Sequence, residues 1–348
     1  MPKEDRFVPL LRKLIKTVQL LIICVIGSSA FFISKELGLF HITPIFKPEP
    51  KTLSNAGIEL KANPSSNLWQ SPDTASIPES PEGKLIKYGR DLIAHTSVYL
   101  GPKGKVSTIS NGMNCQNCHL KAGTVPYGNN YGKVAATYPK LRNRSGTVEG
   151  FEKRVNDCIE RSLNGEKLPE DSREMKAIVA YLKWVGKDVK NVEDHEGLGL
   201  LNLPPLDRPA DPVKGSLVYQ NYCARCHGDN GEGQLGPNGY EWIYPPLYGE
   251  NSYNIGAGLF RLSRFAAYVK ANMPYGITFE NPFLSDEEAW DVAAYINSMA
   301  RPHLDLSADW PDISKKPFDH PFGPYADTFP ESQHKYGPFA AIIEVQNR

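Results

Sequence analysis

A mainly α-helical chain of two tandem small domains is the fold this sequence predicts, on three observations. Apolar residues recur at helical spacing in two well-separated stretches: Met175, Ile178, Val179 and Leu182, then Ala289, Val292, Ala293 and Ile296. Strand signals are sparse throughout. A Cys-x-x-Cys-His run precedes each of those stretches, at 115–119 and again at 223–227. The length of 348 residues agrees, leaving room for a short anchor and a tail beside two domains. The 39 basic and 39 acidic side chains cancel, so no whole-chain field points to nucleic acid. An apolar fraction of 41% with 17 Tyr, 14 Phe and 5 Trp excludes wholesale disorder, and six cysteines are too few for a disulfide scaffold.

The elements follow in chain order. Residues 17–34 are uncharged and mostly apolar, and Lys3, Arg6, Arg12, Lys13 and Lys16 precede them. The stretch is near the minimum for a spanning helix of about 20 residues, with the basic cluster left in the cytoplasm. A cleaved export signal ending at Ser28-Ser29-Ala30 also fits. Both readings of segment 1–34 put the body outside the cytoplasm: on the periplasmic side of a bacterial inner membrane, or free in the periplasm. Cys24 lies inside this segment without a lipobox and reads as membrane filler. Residues 35–82, rich in Pro, Ser, Asn and Lys, read as a linker and irregular extension. Two repeats then occupy 83–200 and 201–300, and an aromatic, proline-dense tail, 301–348, is expected to pack over them. Ser285 followed by Glu288 resembles a capping box opening the last helix of the second repeat.

Small helical domains with long Gly/Pro loops need something to fill their centres, and the cysteine motifs say what. Cys115-x-x-Cys118-His119 and Cys223-x-x-Cys226-His227 match the attachment motif of c-type haem, giving two cytochrome c-like domains. Two thiols on one turn add to the porphyrin vinyl groups, and the adjoining histidine ligates iron. A zinc site made of the four cysteines would leave both histidines unexplained, and no βαβ pattern supports a thioredoxin-like pair. Covalent c-type haem is attached outside the cytoplasm, in agreement with export. For the second iron the distal candidate is Met273, in ANMPYG and 46 residues beyond His227. Met299 is a poorer candidate and Lys270 a conceivable alternative.

The first repeat has no methionine in the corresponding loop, and Met175 lies in the apolar stripe of its terminal helix. What the loop region offers is Cys158, the cysteine left over once four are assigned to haem and Cys24 to the membrane segment. It reads either as a reactive thiol or as a small buried hydrophobe. Arg154, Cys158 and Ser162 fall at i, i+4 and i+8 and make one helical stripe, beside the apolar stripe Phe151, Val155, Ile159 and Leu163. That gives the sulfur a polar, positive setting of the kind that stabilises thiolates. Arg142 and Arg144 add positive charge upstream. His95 and His195 are rivals as iron ligands, but neither lies in the distal-loop region.

At this point the pattern becomes specific. NCQNCH, RNRSG, RVNDCIERSLNG, AYLKWV, CARCHG, PPLYG, NMP and DVAAYI, over roughly 84–300, resemble the dihaem thiosulfate dehydrogenases, or tetrathionate synthases. The discriminating part is RVNDCIERS, with Cys158 placed 43 residues behind Cys115. The resemblance implies a His119/Cys158 catalytic haem, with Arg144, Arg154 and Ser162 at the substrate-binding positions. It also implies a second haem with His227 and Met273 as ligands. Some members place a lysine before that methionine; here the neighbour is Asn272. The implied reaction couples two thiosulfates into tetrathionate, or runs in reverse, exchanging electrons with a c-type cytochrome or another redox protein. Rival readings are a pure electron-transfer dihaem cytochrome, a sulfur-oxidising cytochrome that makes cysteine conjugates on a partner protein, and a dihaem peroxidase.

Overall fold

The computed structural model describes residues 16–19 and 67–347. The chain divides into a short unit, Met1–Gly57, and a main unit, Ile58–Arg348. In the short unit only 16–19 are described, as a piece of helix. The rest of the apolar segment, with Cys24, lies outside the described residues, as does the linker up to residue 66. Among the described residues no helix is long and apolar enough to cross a membrane.

Three longer helices frame the first repeat: α1 (Pro81–Ala94), α2 (Phe151–Ser162) and α3 (Arg173–Val185). Three more frame the second: α4 (Pro212–Tyr222), α5 (Leu262–Asn272) and α6 (Asp286–Ser298). The starts are written locally. Ser80 accepts from Gly83 N with Pro81 in the first turn of α1, Ser172 accepts from Met175 N at α3, and Asp211 accepts from Val213 N and Lys214 N at α4. The Ser285–Glu288 box opens α6 with both reciprocal bonds made, at 2.8 and 3.1 Å. Helix α5 has no such neighbour. Its cap comes from afar, as Asp319 accepts from Ser263 N at 3.0 Å and from Arg261 Nε at 2.7 Å.

The two repeats are held by the same crossing. In the first, α1 lies against α3 with Gly89 so close that a Cβ there would meet Ala177 O at 1.9 Å and Tyr181 Cβ at 2.9 Å. In the second, α4 lies against α6, and a Cβ on Gly215 would meet Asp291 O at 1.9 Å and Tyr295 Cβ at 2.9 Å. Only glycine permits backbones to approach this far. The stripes Met175/Ile178/Val179/Leu182 and Ala289/Val292/Ala293/Ile296 are all buried. Each large apolar side chain so buried contributes roughly 1.5–3 kcal/mol of transfer free energy. Among the described residues, strands are confined to two short antiparallel hairpins, β1 (Lys140–Arg142) with β2 (Thr147–Glu149), and β3 (Gln234–Leu235) with β4 (Trp242–Tyr244).

The cores interlock beyond the sequence repeats. Tyr253, Ala257 and Phe260 follow the second cysteine motif yet belong to the first core. Phe339 and Ile342, from the closing stretch, belong to the second. That stretch carries two short helices, α7 (Glu331–Tyr336) and α8 (Ala340–Gln346), and runs back over both repeats. Ile255 N donates to Pro302 O at 3.1 Å, Trp310 N to Arg144 O at 2.7 Å, and Ala210 N to Tyr336 O at 2.8 Å. His334 is buried in it, with Nδ1 at 2.8 Å from Phe318 O and Nε2 at 3.0 Å from Asp327 Oδ1.

Candidate functional site

In the first repeat Cys115–Asn117 form a single 3₁₀ turn, and His119 N donates back to Cys115 O at 3.0 Å. The turn is pinned to the helices: Thr96 Oγ1 accepts from Cys115 N at 3.0 Å, and Asn114 Oδ1 from Ser97 N at 2.8 Å. In the second repeat Cys223 ends α4, and Ala224–His227 make one helical turn, with His227 N donating to Cys223 O at 2.9 Å. The two imidazoles are oriented alike. His119 Nδ1 lies 2.5 Å from Asn129 O, and His227 Nδ1 lies 2.8 Å from Pro245 O. A carbonyl can only accept, so each Nδ1 carries the proton and each Nε2 keeps its lone pair. Neither Nε2 is hydrogen-bonded to a described residue. Burial pushes His119 down to about 4 and lowers His227 as well, keeping both neutral as metal ligation demands.

The donor set fits c-type haem. The four motif thiols are free and half-buried, on single turns, each pair followed by an imidazole whose Nδ1 is fixed by a backbone carbonyl. Burial pushes Cys115 up to about 11, and Cys118 and Cys223 to about 12, so as free thiols they would stay protonated. Thioether formation removes that cost.

The first repeat then differs on its far side. Arg154, Cys158 and Ser162 share a face of α2, and all three are half-buried. Cys158 lies close enough to Cys115 and Cys118 to help burial hold both thiols protonated. Arg154 is held more firmly protonated, first by Cys158 and against the effect of its burial. Neither the Arg154 guanidinium nor the Ser162 hydroxyl makes a hydrogen bond to a described residue. Apolar packing fixes the helix behind them, through Phe151, Ile159 and Leu163.

Arg144 stands in different surroundings. It is mostly buried in the β1–β2 turn, with Nη1 donating to Gly256 O at 2.8 Å and the Trp310 ring 5.7 Å from its Cζ. Burial and then the neighbouring Arg161 pull it down to about 10, against Asp309. The structure thus brings Arg154, Cys158 and Ser162 onto one surface, and ties Arg144 to the closing stretch. Arg161 and Asp309 were not singled out from the sequence. Asp309 carries no local signal, and Arg161 is adjacent to Ser162 but off its stripe.

In the second repeat Met273 caps α5, half-buried against the second core. Lys270 is engaged elsewhere, 2.6 Å from Asp286 Oδ1 and 2.8 Å from Leu284 O. Asn272 is buried and donates to Tyr268 O at 2.9 Å and, across to the first repeat, to Tyr127 O at 3.2 Å. Tyr268, one turn earlier, donates to Asn117 O inside the first cysteine motif at 3.1 Å. Of the histidine rivals, His95 is exposed and 3.4 Å from Glu241, and His195 lies in the loop before residue 200.

The family model described as cytochrome c matches residues 212–300, and the one described as SoxA/TsdA, cytochrome c domain matches 105–190. The thiosulfate dehydrogenase of Thiomonas intermedia (strain K12) is 33% identical over 287 residues, covering 82% of this chain and 85% of that protein. The thiosulfate dehydrogenase of Stutzerimonas stutzeri (strain A1501) is 35% identical over 240 residues, 68% of this chain and 74% of that one. Among solved structures, the thiosulfate dehydrogenase (TsdBA) from Marichromatium purpuratum superposes with a TM-score of 0.62 at 30% identity. It covers 68% of this chain, which spans half of that longer one (50%). Two cytochrome c domains mean two covalent c-type haems, and with these relatives the chain belongs to the thiosulfate dehydrogenase family of dihaem sulfur oxidoreductases.

Proposed function

We propose that this chain couples two thiosulfates into tetrathionate at the first haem site and sends the electrons out through the second. The observation that carries the reading is the Arg154–Cys158–Ser162 face: a sulfur nucleophile between a cation and a hydroxyl, both without hydrogen bonds to described residues, in one repeat only. Cys115, Cys118, His119 and Cys158 would hold the first haem, and Cys223, Cys226, His227 and Met273 would hold the second. When bound, the haems supply one-electron acceptors that pass charge to a c-type cytochrome or another redox protein.

The chain's own residues do the rest. Two thiosulfate dianions repel each other, so Arg154 and Arg144 neutralise sulfonate oxygens by charge-assisted bonds while Ser162 donates its hydroxyl. The Cys158 sulfur bonds to the sulfane sulfur of the first thiosulfate, giving a cysteine S-thiosulfonate, and two electrons leave in that step. The second thiosulfate attacks the sulfane sulfur of that adduct, the one bonded to Cys158. An S–S bond of tetrathionate forms as the bond to Cys158 breaks, and the cysteine returns as thiolate. Run backwards, the same residues reduce tetrathionate. The site of action would be the periplasm, tethered through segment 17–34 or released from it.

The test is a steady-state assay on purified holoprotein in both directions, quantifying tetrathionate, with Cys158→Gly alongside. Tetrathionate formed by the parent and not by the variant is expected. Equal turnover by both would rule the mechanism out. Absence of product from the parent would leave an electron carrier.

A further inference from the structure

Asp309 lies 148 residues beyond Arg161 in the chain, yet its carboxylate meets both Nη atoms of that arginine at 2.8 Å. Its Oδ2 also lies 3.9 Å from Arg144 Nε. All three side chains are mostly enclosed, with exposures of 10% for Asp309, 15% for Arg144 and 16% for Arg161. Among the described residues no other carboxylate reaches either arginine. Around this pair the backbone is tied down from three directions. Trp310 N donates to Arg144 O at 2.7 Å, Asn254 N to Arg161 O at 3.0 Å, and Asp309 N to Leu306 O at 2.9 Å. Asn254 Oδ1 also accepts from Gly256 N at 3.0 Å, which fixes the carbonyl that takes Arg144 Nη1.

Two arginines this close, in an enclosed setting, repel one another, and a shared carboxylate is what allows both to stay. The Arg161 bond is bidentate, so it sets the direction of the carboxylate plane. The Arg144 contact is longer and is an ion pair rather than a hydrogen bond. Arg144 Nε has no hydrogen-bond partner in this buried place. The guanidinium is therefore aimed by charge and by its Gly256 bond, not saturated.

We infer that Asp309 is the positioning residue for Arg144, so that the closing stretch is a working part of the substrate site in the first repeat and not only a cover. The inference rests on the proposed role of Arg144 in binding thiosulfate. Asp309 itself touches no substrate; it acts through the arginine, and its loss should weaken binding of the ground state more than it slows the chemistry.

The experiment uses the dihaem holoprotein with Asp309→Asn, Arg144→Gln and the double variant. Thiosulfate KM and kcat are measured with a saturating electron acceptor, and thiosulfate affinity is measured in parallel by calorimetry. Asp309→Asn should raise KM and weaken affinity about tenfold with kcat within about twofold. Both haem absorption spectra should match those of the parent. In the Arg144→Gln background the same change should add less than about twofold, because the arginine it aims is gone. Asp309→Glu, which keeps the charge, should recover most of the affinity, and it serves if the asparagine variant fails to fold. Unchanged affinity in Asp309→Asn, or a fully multiplicative effect in the double variant, would overturn the inference. If Arg144→Gln binds thiosulfate like the parent, its substrate role fails and the positioning role with it. If the parent binds thiosulfate but does not oxidise it, the functional reading fails, while the calorimetric comparison still decides for or against Asp309.

Discussion

The two repeats share their frame and differ on one face. Each opens with a helix whose glycine, Gly89 or Gly215, admits the terminal helix to the same 1.9 Å Cβ limit. Each ends its cysteine motif in a histidine whose Nδ1 bonds a backbone carbonyl. The first repeat adds α2, with Arg154, Cys158 and Ser162; the second adds the end of α5, with Met273 in an apolar setting. A thioether among hydrophobes suits electron passage alone, whereas a sulfur beside a cation without hydrogen bonds to described residues suits a site that meets an anion. The shared frame thus carries two different faces, one polar and cationic on α2 and one apolar at the end of α5.

The largest effect should come from exchanging the difference itself. Cys158→Gly is expected to lower thiosulfate turnover at least about 10³-fold while both haems stay covalently attached, checked by pyridine haemochrome and mass. Met273→Gly should instead shift the potential of the second haem and slow electron exit, leaving thiosulfate KM alone, checked by redox titration and steady-state kinetics.

The shared frame is tested next. Gly89→Ala and Gly215→Ala each force a methyl group into a facing carbonyl, and each should cost about 2–4 kcal/mol in denaturant unfolding of the holoprotein. Unequal losses would show that one crossing tolerates displacement that the other does not. Arg154→Gln should raise thiosulfate KM about 10- to 100-fold with the second haem's spectrum unchanged, because the cation faces only the first site. The smallest effect is at a helix end: Ser285→Ala removes one half of a capping box and should cost about 1 kcal/mol by the same unfolding measurement.

What the sequence made legible is what it encodes locally. The stripes on α3 and α6, the Ser285–Glu288 box and the Arg154–Cys158–Ser162 face all depend on side chains within one or two helical turns. What stayed hidden depends on chain returning from far away. Tyr253 and Phe260 enter the first core from beyond the second motif, and Asp319 caps α5 from 56 residues on. Asp309 closes on Arg161 with no periodicity to announce it. Arg144 was visible as an arginine near the site, but its partners Gly256, Asp309 and Trp310 were not, and they decide how it can move.

Asn272 has a further consequence. Its amide spans two backbone carbonyls, one on its own helix and one at Tyr127 in the other repeat, immediately before Met273. Backbone displacement at the end of α5 would therefore strain a strut between the halves. One side-chain amide thereby fixes the spacing between the end of α5 and the loop that follows the first cysteine motif.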